Sequence, residues 1–474
     1  MKKVSFIIFS VISVMAIVSC SQSDRNPVLT IEGGKIKGVE TTTPGIVAYK
    51  GIPFAAPPVG ELRWKEPQPV IPWQGVKLAD KYGAAAMQIT WDPNSFYGRE
   101  WRASGSAPFS EDCLYLNVWT SAAGKPDKKL PVTMWIHGGG YREGFGFEPE
   151  MDGGEDFASR GVVHVSITYR LGVIGFFSHP LLSTESPNGV SGNYGVMDQA
   201  AALKWIKNNI AQFGGDPDNI TIFGQSAGGG SVQTLLASPK SKNMIAKAIS
   251  MSAGGLSDRP SALIDTIQIA NKAMMDYFGK TTLKEMRALP FDSLTKMTTD
   301  YTAAVGKRLN FGPITDNYFL TGSFSDVARA GQIPNIPYVF GSTANDMLDM
   351  TNPIRDFCLL REQQGGKPAY AYLFTRQLPG DESGAFHSSD LWYVFNSLRH
   401  SWRPFTAGDK ELAVKMVDFW TNFAKYGNPN GQVDAVWTPC TSASPKFMVF
   451  DANDANAILT MTDSPVFLGP SSRK

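Results

Sequence analysis

The stretch Asn219-Ile-Thr-Ile-Phe-Gly-Gln-Ser-Ala-Gly-Gly-Gly230 decides the reading of this chain. Asn219 to Phe223 alternates β-branched and apolar residues behind a Gly-Gly-Asp-Pro turn, which predicts a short buried strand. Gly224-Gln225-Ser226-Ala227-Gly228 follows, and an apolar-periodic segment through Val232, Leu235 and Leu236 predicts a helix. This is G-x-S-x-G between a strand and a helix, the setting that turns a serine outward as a nucleophile. The flanking glycines permit the sharp reversal that holds the serine in a strained conformation. The helix N-terminus beside it favours developing negative charge. A Gly-rich turn with an incidental serine would need neither flank. Ser226 is the candidate nucleophile.

Working outward, Pro131-Val-Thr-Met-Trp-Ile-His-Gly-Gly-Gly-Tyr141 reads as a buried strand running into His137-Gly138-Gly139-Gly140. A Gly triplet there suits a loop whose backbone N–H groups converge on one oxygen without side-chain crowding, the second oxyanion-hole element of α/β-hydrolases. Val162 to Tyr169, Met244 to Ser252 and Pro337 to Ser342 read as further strands. Asp198 to Phe213 is helical, with Leu203, Ile206, Ile210 and Phe213 on one face. Lys410 to Tyr426 is a late helix stopped by Gly427-Asn428-Pro429. Such alternation indicates an α/β fold, a mostly parallel central sheet flanked by helices. A small N-terminal β-hairpin, Val28 to Ile31 and Lys35 to Val39 around Gly33-Gly34, precedes it. No linker divides residues 28–474, which are assigned to one domain with inserted helical segments around the active-site mouth.

A serine hydroxyl needs an imidazole to take its proton and a carboxylate to orient that imidazole. In this fold the chain order is serine, acid, histidine. Of five histidines, His137, His164 and His179 precede Ser226, which leaves His387 and His400.

Tyr49-Lys-Gly-Ile-Pro-Phe-Ala-Ala-Pro-Pro-Val-Gly60 with Leu62-Arg-Trp-Lys-Glu-Pro67, and Ser110-Glu-Asp-Cys-Leu-Tyr-Leu-Asn-Val118, resemble blocks of the type-B carboxylesterases, the group that includes cholinesterases. The resemblance runs from about Gly33 to His387 with unmatched gaps. It implies a serine esterase with no cofactor, acting on a small-molecule ester. It implies oxyanion donors at Gly139, Gly140 and Ala227, and a structural Arg63–Glu111 ion pair. Gly384-Ala-Phe-His387-Ser-Ser-Asp390 is similar to the family's G-x-x-H-x-x-E block, selecting His387 as base. Phe340-Gly-Ser-Thr-Ala-Asn-Asp346-Met347 is similar to G-x-x-x-D-E-G, selecting Asp346 as acid in place of the usual glutamate, with Asp349 as runner-up and Asp316 as structural. Asp346 and His387 lie 41 residues apart, short for the family, as if a gorge-shaping helical segment were missing. Many relatives place glutamate before the serine; Gln225 removes that charge and argues against selectivity for cationic choline esters. The family also bridges the cysteine at the Cys113 position to one upstream, where this chain has Ala86. Cys113 is then expected to be an unpaired, buried thiol. The Met87–Asp112 loop, with Trp91, Phe96, Tyr97 and Trp101, is expected to be a lip of the active site held only by loose apolar contacts.

Lys2 and Lys3 precede an apolar run, Val4 to Val18, too short to span a membrane, so residues 1–19 read as a signal peptide. Ile17-Val18-Ser19-Cys20 looks like a bacterial lipobox, making Cys20 a lipid anchor followed by a tether over residues 20–27. That predicts export to a bacterial cell envelope, with membrane contact only through the anchor. A net charge of +1 argues against nucleic-acid partners, since no basic excess is present to neutralise phosphates. No H-E-x-x-H, Cys pair or carboxylate cluster has metal-ligand spacing. Two competing functions remain open: a non-catalytic binding module on the same fold, and a serine peptidase using the same triad. The acyl and alcohol groups, the oligomeric state, the membrane leaflet and the pairing of Cys358 with Cys440 are not legible.

Overall fold

Apolar runs bounded by turns become strands here because helices cover both faces of the sheet they enter. The computed structural model describes residues 26–89, 92–101, 107–148, 151–431 and 437–470. The signal peptide, Cys20 and Trp91 lie outside the described residues. Among the described residues the main sheet has eleven strands. In chain order they are β1 Val39–Glu40, β2 Val47–Pro53, β3 Tyr115–Thr120, β4 Leu130–Ile136, β5 Val163–Ile167, β6 Gly215–Gln225, β7 Lys247–Met251, β8 Tyr338–Thr343, β9 Ala369–Phe374, β10 Phe447–Ala452 and β11 Ala457–Thr462. In space the order is β11-β10-β9-β8-β7-β6-β4-β5-β3-β2-β1. From β5 through β4 to β10 every pairing is parallel. Both margins are antiparallel. Every residue of β5, β7, β8 and β9 is buried, as a doubly covered sheet requires. The mostly parallel α/β-hydrolase sheet expected from the sequence is therefore present. The N-terminal hairpin is present too, Leu29–Ile31 against Gly34–Lys37, with Val76–Leu78 added in parallel.

The helices that matter to the site are α1 Phe96–Trp101, α2 Tyr194–Asn209, α3 Ala227–Ala237, α4 Phe291–Val305, α5 Thr351–Gln363 and α6 Ala407–Tyr426. Helix α6 starts before the expected Lys410 because Thr406 and Asp409 form a capping box that satisfies the first amides. It ends where Gly427 adopts φ 67°. Helix α2 begins earlier than expected, and the Ile210–Phe213 turn after it is 3-10.

One expectation is overturned. Within the Met87–Asp112 segment, the described residues 96–101 are not held by loose contacts. They form α1, whose Phe96 meets Phe386 edge-on at 4.9 Å, while Trp101 leans on Trp392 at 5.3 Å. Glu100 is buried and accepts hydrogen bonds from Arg403 (Nη2 to Oε2, 2.8 Å) and from Trp392 Nε1 (2.9 Å). A carboxylate is retained in an interior only with such partners. These residues lie about three hundred positions away along the chain, so local pattern could not reveal them.

Arg63 and Glu111 do pair, Nε to Oε2 at 2.7 Å, and Arg63 Nη1 also donates to the Arg287 and Leu289 carbonyls. Cys113 is a buried free thiol and Ala86 is buried. Cys358 and Cys440 are buried thiols hydrogen-bonded to each other.

Candidate active site

Strand β6 delivers the chain to Ser226 at the sheet's C-terminal end, where ligands of open α/β sheets bind. Ser226 holds φ 57° and ψ −123°, a conformation that costs about 1–3 kcal/mol in a non-glycine residue. Its amide donates to the Met251 carbonyl of β7 at 2.8 Å, and its carbonyl accepts from Gly230 at 2.9 Å, which fixes the strained turn from β6 into α3. Glycine is required at 228: a Cβ there would lie 2.0 Å from the Ile136 carbonyl oxygen, so α3 could not approach β4.

The side chains that the sequence singled out converge on this turn. His387 Nε2 lies 2.8 Å from Ser226 Oγ, and His387 Nδ1 lies 2.6 Å from Asp346 Oδ1. Asp346 follows β8 and is fully buried. Burial works against its charge, yet the hydrogen bond and attraction from His387 outweigh it and hold the carboxyl below its ordinary range. Thr343 Oγ1 and the Met347 amide also donate to it, at 3.2 and 2.7 Å. With Nδ1–H directed at Asp346, Nε2 is left as an acceptor for the serine hydroxyl. Gln225 Nε2 is a further neighbour of Nε2, at 3.3 Å.

The other candidates stand elsewhere. His400 is exposed and meets Asp152 at 2.8 Å. Asp349 Oδ1 accepts from the Thr351 amide and hydroxyl at 2.9 and 2.6 Å, at the start of α5. Asp316 Oδ1 accepts the Tyr318, Phe319 and Leu320 amides.

Gly139 and Gly140 adopt φ of 92° and 61°. Among the described residues their amides donate to no other group. A Cβ on Gly139 would lie 2.1 Å from the Glu143 carbonyl oxygen, because the Arg142 and Glu143 amides close a tight turn on the Gly139 carbonyl. Ala227 opens α3 directly after the serine. These glycines, Ser226 and His387 line one cavity of about 250 Å³, narrowed by Tyr97, Trp101 and Met347.

Sequence reasoning missed several supporting residues. Asn345 clasps the acid and base loops together: its amide donates to the Ala385 carbonyl at 3.0 Å and its Oδ1 accepts the Ala385 amide at 2.9 Å. Asp390, quoted only as the end of the histidine block, is buried under the triad and accepts from Tyr372 Oη at 2.8 Å. Burial, reinforced by the Asp346 charge, pushes its carboxyl up to about 6. Glu143 and Glu148 border the catalytic cavity, and burial raises them to about 7 and about 8. A glutamate beside a glycine loop carries no signal of burial.

A family model described as the carboxylesterase family matches residues 25–356 and 348–464. The fumonisin B1 esterase of Sphingopyxis macrogoltabida is 32% identical over 89% of this chain and 86% of its own length. The para-nitrobenzyl esterase of Bacillus subtilis (strain 168) is 32% identical over 85% of this chain and 90% of its own. The solved structure of a thermophilic PNB esterase superposes with a TM-score of 0.78 at 28% identity, covering 92% of this chain and 98% of that one.

Proposed function

The chain belongs to the carboxylesterase family and is a carboxylic-ester hydrolase, and from that premise we propose that it works through a Ser226–His387–Asp346 triad and an acyl-enzyme. The observation that supports this reading most is the unbroken relay: Ser226 Oγ at 2.8 Å from Nε2 and Asp346 Oδ1 at 2.6 Å from Nδ1 of one imidazole. Ser226 Oγ attacks the ester carbonyl while its proton passes to His387 Nε2. Asp346 holds the imidazole by Nδ1 and stabilises the cation that forms. The carbonyl oxygen becomes an oxyanion held by the Gly139, Gly140 and Ala227 amides. Collapse breaks the bond to the alcohol oxygen, which takes the proton from Nε2. Water then adds to the acyl-serine with His387 as base, releasing the acid and restoring the serine.

Mixing enzyme with excess p-nitrophenyl butyrate tests this. A burst of one p-nitrophenol per chain, lost in Ser226→Ala, is the expected result. Steady turnover surviving in Ser226→Ala would refute it. Export and anchoring through Cys20 form part of the same reading. Incorporation of labelled palmitate, abolished by Cys20→Ala, checks it; labelling that persists in the variant would exclude Cys20 as the anchor.

A further inference from the structure

Two cavities border the 139–143 loop, beside the cavity that holds Ser226. One, of about 540 Å³, is bounded by Gly139, Gly140, Arg142 and Arg308. A larger one, of about 590 Å³, shares Arg142, Glu143, Arg308 and Leu309 with it and runs on between Phe291 and Phe311. The two arginines thus stand at the junction between the reaction centre and the roomier space. We propose that Arg142 and Arg308 form a carboxylate-binding subsite, so that this hydrolase prefers esters bearing an anionic group near the scissile carbonyl and an apolar body in the larger cavity.

The argument starts from how this chain treats its other arginines. Arg63, Arg170, Arg287, Arg376 and Arg403 are each paired with a carboxylate, Glu111, Asp198, Glu185, Asp409 and Glu100, whereas Arg361 bonds only neutral groups and the exposed Arg259 side chain bonds no described residue. The guanidinium groups of Arg142 and Arg308 make no ion pair or hydrogen bond with any described residue. Arginine is the side chain best matched to a carboxylate, since its planar fork donates two parallel hydrogen bonds. Arg142 is also fixed in place, two residues beyond Gly140 in the turn closed on the Gly139 carbonyl.

The acidic groups nearby do not cancel the two cations. Among the described residues Glu143 is the single carboxyl bordering the smaller cavity; burial pushes it up to about 7, and even ionised it sets one anion against two cations. Asp92 borders the larger cavity alone, is exposed, and accepts the Asn94 amide at 2.9 Å. Beyond the arginines the wall is nearly uncharged. Thr295 and Thr298 of α4 donate their hydroxyls to their own helix carbonyls at 3.0 and 2.9 Å, so that their methyl groups and lone pairs remain for a ligand. Such a wall suits an apolar body and gives no reason for a second charge.

This inference rests on the esterase reading, and the test keeps the two apart. Mono-4-nitrophenyl adipate and 4-nitrophenyl hexanoate differ by a terminal carboxylate on the acyl side; 4-carboxyphenyl butyrate and phenyl butyrate differ by one on the alcohol side. In at least one pair the unmodified enzyme is expected to show the higher kcat/KM on the anionic member. That ratio should fall at least about tenfold in Arg142→Gln/Arg308→Gln, the size of one lost charge-assisted hydrogen bond. It should also fall in the unmodified enzyme between roughly 0.02 and 0.5 M NaCl, as ions screen the pair. Arg308→Gln alone, at an exposed position, should lower the ratio with an unchanged melting curve. Hydrolysis of the neutral esters by Ser226 with no anionic preference in either pair would overturn the subsite and leave the esterase reading standing. Equal losses on both members of each pair would mark the arginines as structural and overturn it as well. Failure of the esterase reading would show differently, as neutral-ester turnover indifferent to Ser226→Ala.

Discussion

The end of the sheet that carries Ser226 and the cavity wall beside it are held by different means. At the sheet end, β6 and β8 lead straight into the serine and the acid, and parallel ladders fix where those strands stop. At the wall, α1 and α4 lie outside the sheet, and α1 is held by side chains reaching distant parts of the chain, as Glu100 reaches Arg403. The difference teaches that reaction chemistry here is set by backbone registry and selectivity by side-chain docking. Changes at the first region should cost turnover with little loss of stability. Changes at the second should cost stability or shift substrate choice.

The sharpest contrast within the first region is between two nearby carboxylates. Asp346→Asn keeps the shape but offers the imidazole an amide, favouring the wrong tautomer, and is expected to lower kcat about 10⁴-fold. Asp349→Asn keeps an oxygen acceptor for Thr351 and should leave kcat near native. Steady-state kinetics on one p-nitrophenyl ester ranks the two; the reverse order would move the acid to Asp349. The second region is probed by Glu100→Gln. It leaves Arg403 buried without its main partner, although the Asp381 contact at 2.9 Å remains, so a loss of about 3 kcal/mol is expected in denaturant unfolding. An unchanged midpoint would mean that aromatic packing alone holds α1. Gly139→Ala tests where the two regions meet. Its Cβ would strike the Glu143 carbonyl and displace an oxyanion donor, so kcat should fall about 10²- to 10³-fold with KM little changed.

What could be read in advance followed the same division. The Ser226 turn, the Gly139–Gly140 loop and the strands were legible because a tight turn and a doubly buried strand demand particular residues at fixed short spacing. Chain order narrowed the base to His387 or His400, and family blocks then selected His387 and Asp346. Illegible were α1 as a docked helix, the Arg403–Glu100 pair and the Asn345 clasp. Each depends on partners brought together only by the fold. The start of α6 was missed for a smaller reason: Thr406 and Asp409 do form an N-cap signature, but it lies ahead of the apolar periodicity.

The smallest expected effect concerns pH. Burial, reinforced by the Glu143 charge, pushes the Glu148 carboxyl up from its ordinary 4.5 to about 8. A raised carboxyl makes the folded state hold a proton that the unfolded chain has already lost. Its stabilising contribution is therefore complete below about 4.5 and is lost as pH rises through about 8. Glu148→Gln should flatten the decline of Tm between pH 5 and 8.5, by about 1–3 °C. A decline of unchanged slope would mean that Glu148 is not the group responsible.

The central claim is that Ser226, activated by His387, is the nucleophile. The most direct measurement is intact-protein and peptide mass spectrometry after reaction with a p-nitrophenyl alkylphosphonate. The account predicts one adduct per chain, on the peptide containing Ser226, absent in Ser226→Ala and formed far more slowly in His387→Ala. Complete inhibition with the adduct on any other residue, or ester hydrolysis that continues while Ser226 is fully modified, would contradict it.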